Sequence, residues 1–70
     1  MNHISYDFQE GQLVELFHGV PQMAWTIHQV PDQVLQGALM WNDPNGDFDG
    51  LTRQTMLEIF LHDFIVSRAK

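Results

Sequence analysis

The chain has no cysteine, few basic residues and no apolar run long enough to span a bilayer. Without cysteine there are no disulfides and no thiolate metal sites. A chain of 70 residues, one domain's length, must then hold itself together by packing. Domains this small bury only about 60% of the surface their unfolded chains expose. Their cores supply about 3–5 kcal/mol, and oligomerisation is the remaining inexpensive stabiliser. Apolar stretches such as Ile59-Phe60-Leu61 are broken at once, here by His62. Met1-Asn2-His3-Ile4-Ser5-Tyr6-Asp7 lacks the basic region and apolar stretch of a signal peptide. A soluble, unprocessed, cytoplasmic protein is the expectation.

The shortage of positive charge excludes most. Nine acids face three bases, Arg53, Arg68 and Lys70, for a net charge of −6. Residues 1–52 carry Asp7, Glu10, Glu15, Asp32, Asp43, Asp47 and Asp49 and no Lys or Arg. A surface built from them repels phosphate and attracts basic proteins or cations. Nucleic-acid affinity rests largely on Lys and Arg neutralising phosphates, and that contribution is missing.

Glycine and proline punctuate what is present. Asp7-Phe8-Gln9-Glu10 has the form of a capping box and predicts a helix from about Phe8. That helix would turn Leu13, Val14, Leu16 and Phe17 inward and stop at Gly19. Against it stand Gly11 in the second turn and the alternation of His3-Ile4-Ser5-Tyr6-Asp7-Phe8, a strand or hairpin signal. Pro21 and Pro31 each suit the first position of a helix. They predict helices from Pro21 to about His28, burying Met23, Ala24 and Ile27, and from Pro31 to about Met40, burying Val34, Leu35, Ala38 and Leu39. A strand is the rival for the first of these, since Met23, Trp25 and Ile27 also alternate. Residues 42–50 form a loop by composition. Asp49 or Thr52 then caps a last helix from Thr52 to about Arg68. Its inward face is Met56, Leu57, Phe60, Leu61, Phe64 and Ile65, beside a polar stripe of Gln54, Glu58 and His62. Ile59 and Val66 lie beyond that stripe, which points either to a partner helix or homodimer contact or simply to apolar surface left in water. The expected fold is all-α, a compact single-domain bundle of about four short helices spanning residues 1–70, with a short N-terminal β-strand or hairpin as an alternative for its first residues.

Three functional readings follow. The acidic surface with its apolar anchors suits a small module or regulator that binds a basic protein. Trp41, Asp43, Asp47, Asp49, Ile59 and Val66 would form the contact. A variant is an inhibitor that mimics nucleic acid by aligning carboxylates. The second reading is a calcium-binding loop at 43–50. Asn45, Asp47, Asp49 and Gly50 resemble the opening of an EF-hand loop, and Asp43 could contribute. The twelfth position of that loop, however, is Met56, which cannot give the bidentate carboxylate, and a capping turn explains the same residues. The third is a helix-turn-helix DNA-binding regulator. Leu13–Phe17, Gln22–Ile27 and Val30–Gln36 resemble that arrangement, with Gln33 and Gln36 as base readers and Asn42–Phe48 as a short wing. No basic residue before Arg53 would hold the DNA backbone.

Catalysis finds no set of residues. Serine occurs only at Ser5 and Ser67, and there is no phosphate-binding glycine loop or dinucleotide fingerprint. His3, His18, His28 and His62 are scattered, and Glu58 with His62 offers two ligands, too few for a closed metal site. An enzyme is not expected, and no cofactor is required.

Overall fold

A computed structural model describes residues 3–66, the side chain of Val66 excepted. It holds three β-strands, β1 (Ile4–Gln9), β2 (Gln12–Phe17) and β3 (Val20–Thr26), then two helices, α1 (Asp32–Asn42) and α2 (Arg53–Leu61). A π-helical turn, His62–Val66, follows α2. The strands belong to one compact unit, which ends at Val30, and the helices to a second, which begins at Pro31. The expected all-α bundle is therefore overturned, and the protein is α+β rather than helical.

The sheet is an antiparallel meander in the order β1-β2-β3. Its two hairpins close through Glu10-Gly11 and His18-Gly19, between the paired residues Gln9 and Gln12 and the paired residues Phe17 and Val20. All four loop residues have positive φ, 53° and 79° in the first turn and the same values in the second. Positive φ at both central positions is the type I′ geometry, whose twist matches that of the flanking strands. Gly11 is thus a hairpin residue instead of a flaw in a helix, and Gly19 closes a second hairpin rather than ending a helix. His18 N–H also donates to the His3 carbonyl at 3.1 Å, and the two imidazoles stack 4.1 Å apart.

The register sorts the side chains. Ile4, Tyr6 and Phe8 share a face with Phe17, Glu15 and Leu13 of β2, and then with Val20, Met23 and Trp25 of β3. Val20 and Met23 are three apart and would ordinarily point to opposite faces. A bulge opposite Glu15 and Leu16 restores the alignment, because Leu16 pairs with Pro21 while Glu15 pairs with Met23. Pro21, read as a helix start, is tolerated instead because β3 is an edge strand. Leu13 is fully buried.

In the second unit α1 packs against α2. Its core is Leu35, Ala38, Leu39, Phe48, Met56, Phe60 and Phe64. The helix expected from Pro31 is present as α1, with Pro31 as its cap residue and its carbonyl accepting from Leu35 N–H at 2.9 Å. Thr52 caps α2, its hydroxyl accepting from Thr55 N–H at 3.2 Å. Phe60 and Phe64 stack at 4.5 Å, and Trp41 lies 6.5 Å from Phe64. Asp32 and Arg53, the first residues of the two helices, form an ion pair at 2.5 Å. The expected α-helix to Arg68 gives way to π geometry after Leu61, and Arg68 lies outside the described residues. Leu61, expected inward, is 41% exposed.

Candidate partner-binding surface

The residues expected to bind a partner divide. Trp41, in the last turn of α1, is 40% exposed beside Met40, which is 50% exposed. Asp43, Asp47 and Asp49 follow in the exposed loop. The structure therefore exposes an aromatic and a methionine at the end of α1, and the loop that follows in the chain exposes three carboxylates. Ile59 is half-buried, and Val66 lies in the π turn with its side chain outside the description.

The loop is ordered by its own carboxylates. Asp43 Oδ1 accepts from Asn45 N–H at 3.3 Å, and Asp47 Oδ1 accepts from Asp49 N–H at 3.2 Å. These local turns are what short acidic side chains readily form. Asp49 Oδ1 accepts at 3.1 Å from Gln36 Nε2, which also donates to the Phe48 carbonyl at 3.1 Å. Phe48 is buried, and its ring would lie 2.6 Å from a Cβ placed on Gly46. Buried ring, glycine and side-chain clamp together fix the loop on α1.

This arrangement bears on the other two readings. Asn45 is exposed and Asp47 and Asp49 are engaged as above, and among the described residues no three His, Asp or Glu side chains gather where they could hold a metal ion. The helix-turn-helix resemblance loses two of its three helices, since Leu13–Phe17 and residues 22–26 lie in strands. Gln36, expected to read bases, instead anchors the loop.

A second exposed surface was not foreseen. Phe17 at 46%, Val20 at 56% and Met23 at 52% exposure share one face of the sheet. Phe17 and Met23 were expected to point inward from helices. The available signal was Gly11 and Gly19, eight residues apart, with strands of six and seven residues around them. On the same face the Tyr6 hydroxyl donates to Glu15 Oε2 at 3.4 Å. Burial first, then the Glu15 charge and this hydrogen bond, raise the Tyr6 pKa above its ordinary value.

Among the described residues no helix is long and apolar enough to cross a membrane. Comparison with known protein families, curated proteins and solved structures finds no match to this chain.

Proposed function

We propose that the protein is a small acidic interaction module, acting in the cytoplasm, that regulates a basic partner protein by binding it. The observation that carries this reading is the exposure of Trp41 and Met40 at the end of α1 together with that of Asp43, Asp47 and Asp49 on the loop that follows in the chain, which Gln36 ties to α1. Exposed carboxylates steer a basic surface into place. Trp and Met then supply large contact area, Trp being a frequent hot-spot residue and Met an adaptable one. A loop ordered before binding loses little entropy on association. No catalytic role enters this reading.

The test is affinity capture from the native host's lysate on the immobilised chain, at low and high salt, with nuclease treatment. The expected result is one basic protein retained at low salt, released at high salt and insensitive to nuclease. Retention should fail with Trp41→Ala and with the triple variant Asp43→Asn, Asp47→Asn, Asp49→Asn. Retention that ignores all four substitutions would overturn the reading, as would retention abolished by nuclease.

A further inference from the structure

We infer that Asn45-Gly46 is a self-modifying site. The Gly46 main-chain nitrogen attacks the Asn45 side-chain carbonyl carbon, ammonia leaves, and hydrolysis of the resulting ring adds a carboxylate to the acidic loop. The reaction proceeds whether or not a partner binds, so it is independent of the interaction reading.

The sequence supplies the pair. The chain has three asparagines, Asn2, Asn42 and Asn45, and of these Asn45 alone precedes a glycine. A five-membered imide forms when the amide nitrogen of the next residue closes on the side-chain carbonyl carbon. A Cβ on that next residue crowds the approach, and glycine has none. Packing holds the glycine in place here, since a Cβ on Gly46 would meet the Phe48 ring at 2.6 Å. The residue that lets Phe48 seat therefore also removes the steric bar to this reaction.

The structure presents the carbonyl. Asn45 is exposed, and among the described residues its side-chain amide enters no hydrogen bond; its main-chain N–H donates to Asp43 Oδ1 at 3.3 Å. Asn42, by contrast, is half-buried in the last turn of α1 and precedes Asp43. Asp49-Gly50 has the glycine, but an ionised carboxylate is a poor electrophile, and Gln36 holds Asp49 Oδ1.

One contact opposes the attack. Gly46 N–H donates to the Asp43 carbonyl at 3.1 Å, closing a turn over Pro44 and Asn45. The nitrogen reacts only when that bond opens. The net worth of one such bond slows the reaction roughly two- to tenfold against a free peptide and does not stop it.

The chemistry needs only base and water. The Gly46 nitrogen loses its proton and bonds to Asn45 Cγ, while the bond from Cγ to the side-chain nitrogen breaks and ammonia carries the proton away. Water then opens the imide at either carbonyl. Opening at Cγ leaves aspartate at position 45 and takes the net charge from −6 one unit further negative. Opening at the main-chain carbonyl leaves isoaspartate, which adds the same charge and lengthens the main chain by one carbon just before Gly46. Because Gly46 lies against the Phe48 ring, that product disturbs the Phe48 seat and the hold of Gln36 on Phe48 and Asp49.

The test incubates the full chain at mildly alkaline pH beside a synthetic peptide of residues 41–50. Peptide-mapping mass spectrometry follows both, and an isoaspartyl methyltransferase detects the isoaspartyl product. Asn45 should convert before Asn42 and Asn2, at a rate that rises with hydroxide concentration and stays within about tenfold of the peptide's. Asn45→Gln, which would need a six-membered ring, should abolish the conversion while leaving the amide spectrum of the sheet and helices unchanged. The isoaspartyl product should shift the Gln36 side-chain and Phe48 amide signals, and Asn45→Asp should leave them in place. An Asn45 slowed about a hundredfold or more against the peptide, beyond the reach of one hydrogen bond, would overturn the inference. Faster conversion at Asn42 or Asn2 would overturn it too, as would conversion at an undiminished rate in Asn45→Gln.

Discussion

Gln36 Nε2 stands 3.1 Å from both the main-chain oxygen of Phe48 and Oδ1 of Asp49, so one amide of α1 holds a loop twelve residues away. A neutral intramolecular hydrogen bond contributes about 0.5–1.5 kcal/mol, and one to a carboxylate somewhat more. Gln36→Ala should therefore lower stability by about 1–2 kcal/mol, read as a lower urea midpoint with the same slope. Gln36→Glu should cost more than Gln36→Ala, because it sets a second carboxylate against Asp49. If the alanine variant unfolds like the parent and its loop amides exchange no faster, the clamp contributes nothing.

Gly46 is required by space rather than by backbone conformation. A Cβ there would meet the Phe48 ring at 2.6 Å and Asp43 Oδ2 at 3.0 Å. The ring is buried and has little room to yield, so Gly46→Ala should destabilise by about 1–3 kcal/mol, the usual range for overpacking. Phe48→Leu introduced with it should recover part of the loss, a double-mutant cycle that isolates this contact.

Gly11 and Gly19 make the opposite case. Nothing lies within 4 Å of a Cβ built on either, yet both have φ of 79°. Alanine at either position should cost about 1–2 kcal/mol from backbone strain alone. His18→Asn should stabilise slightly, since Asn enters the left-handed region more readily than His. Thermal unfolding of the three variants checks all of this. An Ala substitution without effect would mean that the turn relaxes to another type.

Tyr6 ties stability to alkaline pH. Burial first, and Glu15 second, raise its folded pKa above the unfolded value of 10.0. The folded state therefore holds the phenolic proton more tightly than the unfolded chain does. Its contribution is fully present below pH 10 and is lost as pH rises from there through the folded value. Tyr6→Phe should remove this slope, and Glu15→Gln should reduce it. Denaturant midpoints measured from pH 8 to 11 would show it, and an unchanged slope in Tyr6→Phe would exclude Tyr6 as its source.

The ion pair of Asp32 with Arg53 joins the first turns of both helices, but its side chains are 65% and 33% exposed. Exposed pairs contribute at most about 1 kcal/mol, and salt screens them. Asp32→Asn should thus shift stability by less than that, and the difference should vanish at high salt.

What the sequence alone determined is mostly local. Thr52 capping α2 and Pro31 opening α1 were legible, because a cap's acceptor oxygen and a proline's missing N–H act within one turn of chain. The acidic loop and the lack of basic residues through position 52 were equally legible, since charge and turn chemistry need no tertiary context. The stretch from about Phe8 to Thr26 reads as helical, with a strand as the alternative for residues 3–8 and 22–30, and the strands of the sheet decide for the alternative. Gln12-Leu13-Val14-Glu15-Leu16-Phe17 has apolar residues on both strand faces, so it fits a helical stripe as well as a strand. Asp7 and Glu10 have capping-box spacing although Asp7 sits within a strand. Only pairing across two I′ turns decides between the two, because each strand's backbone groups are satisfied by its neighbours and not by its own turn. The bulge opposite Glu15 lies in the same category: it places Val20, Met23 and Phe17 on one face through interstrand register, which no local spacing records.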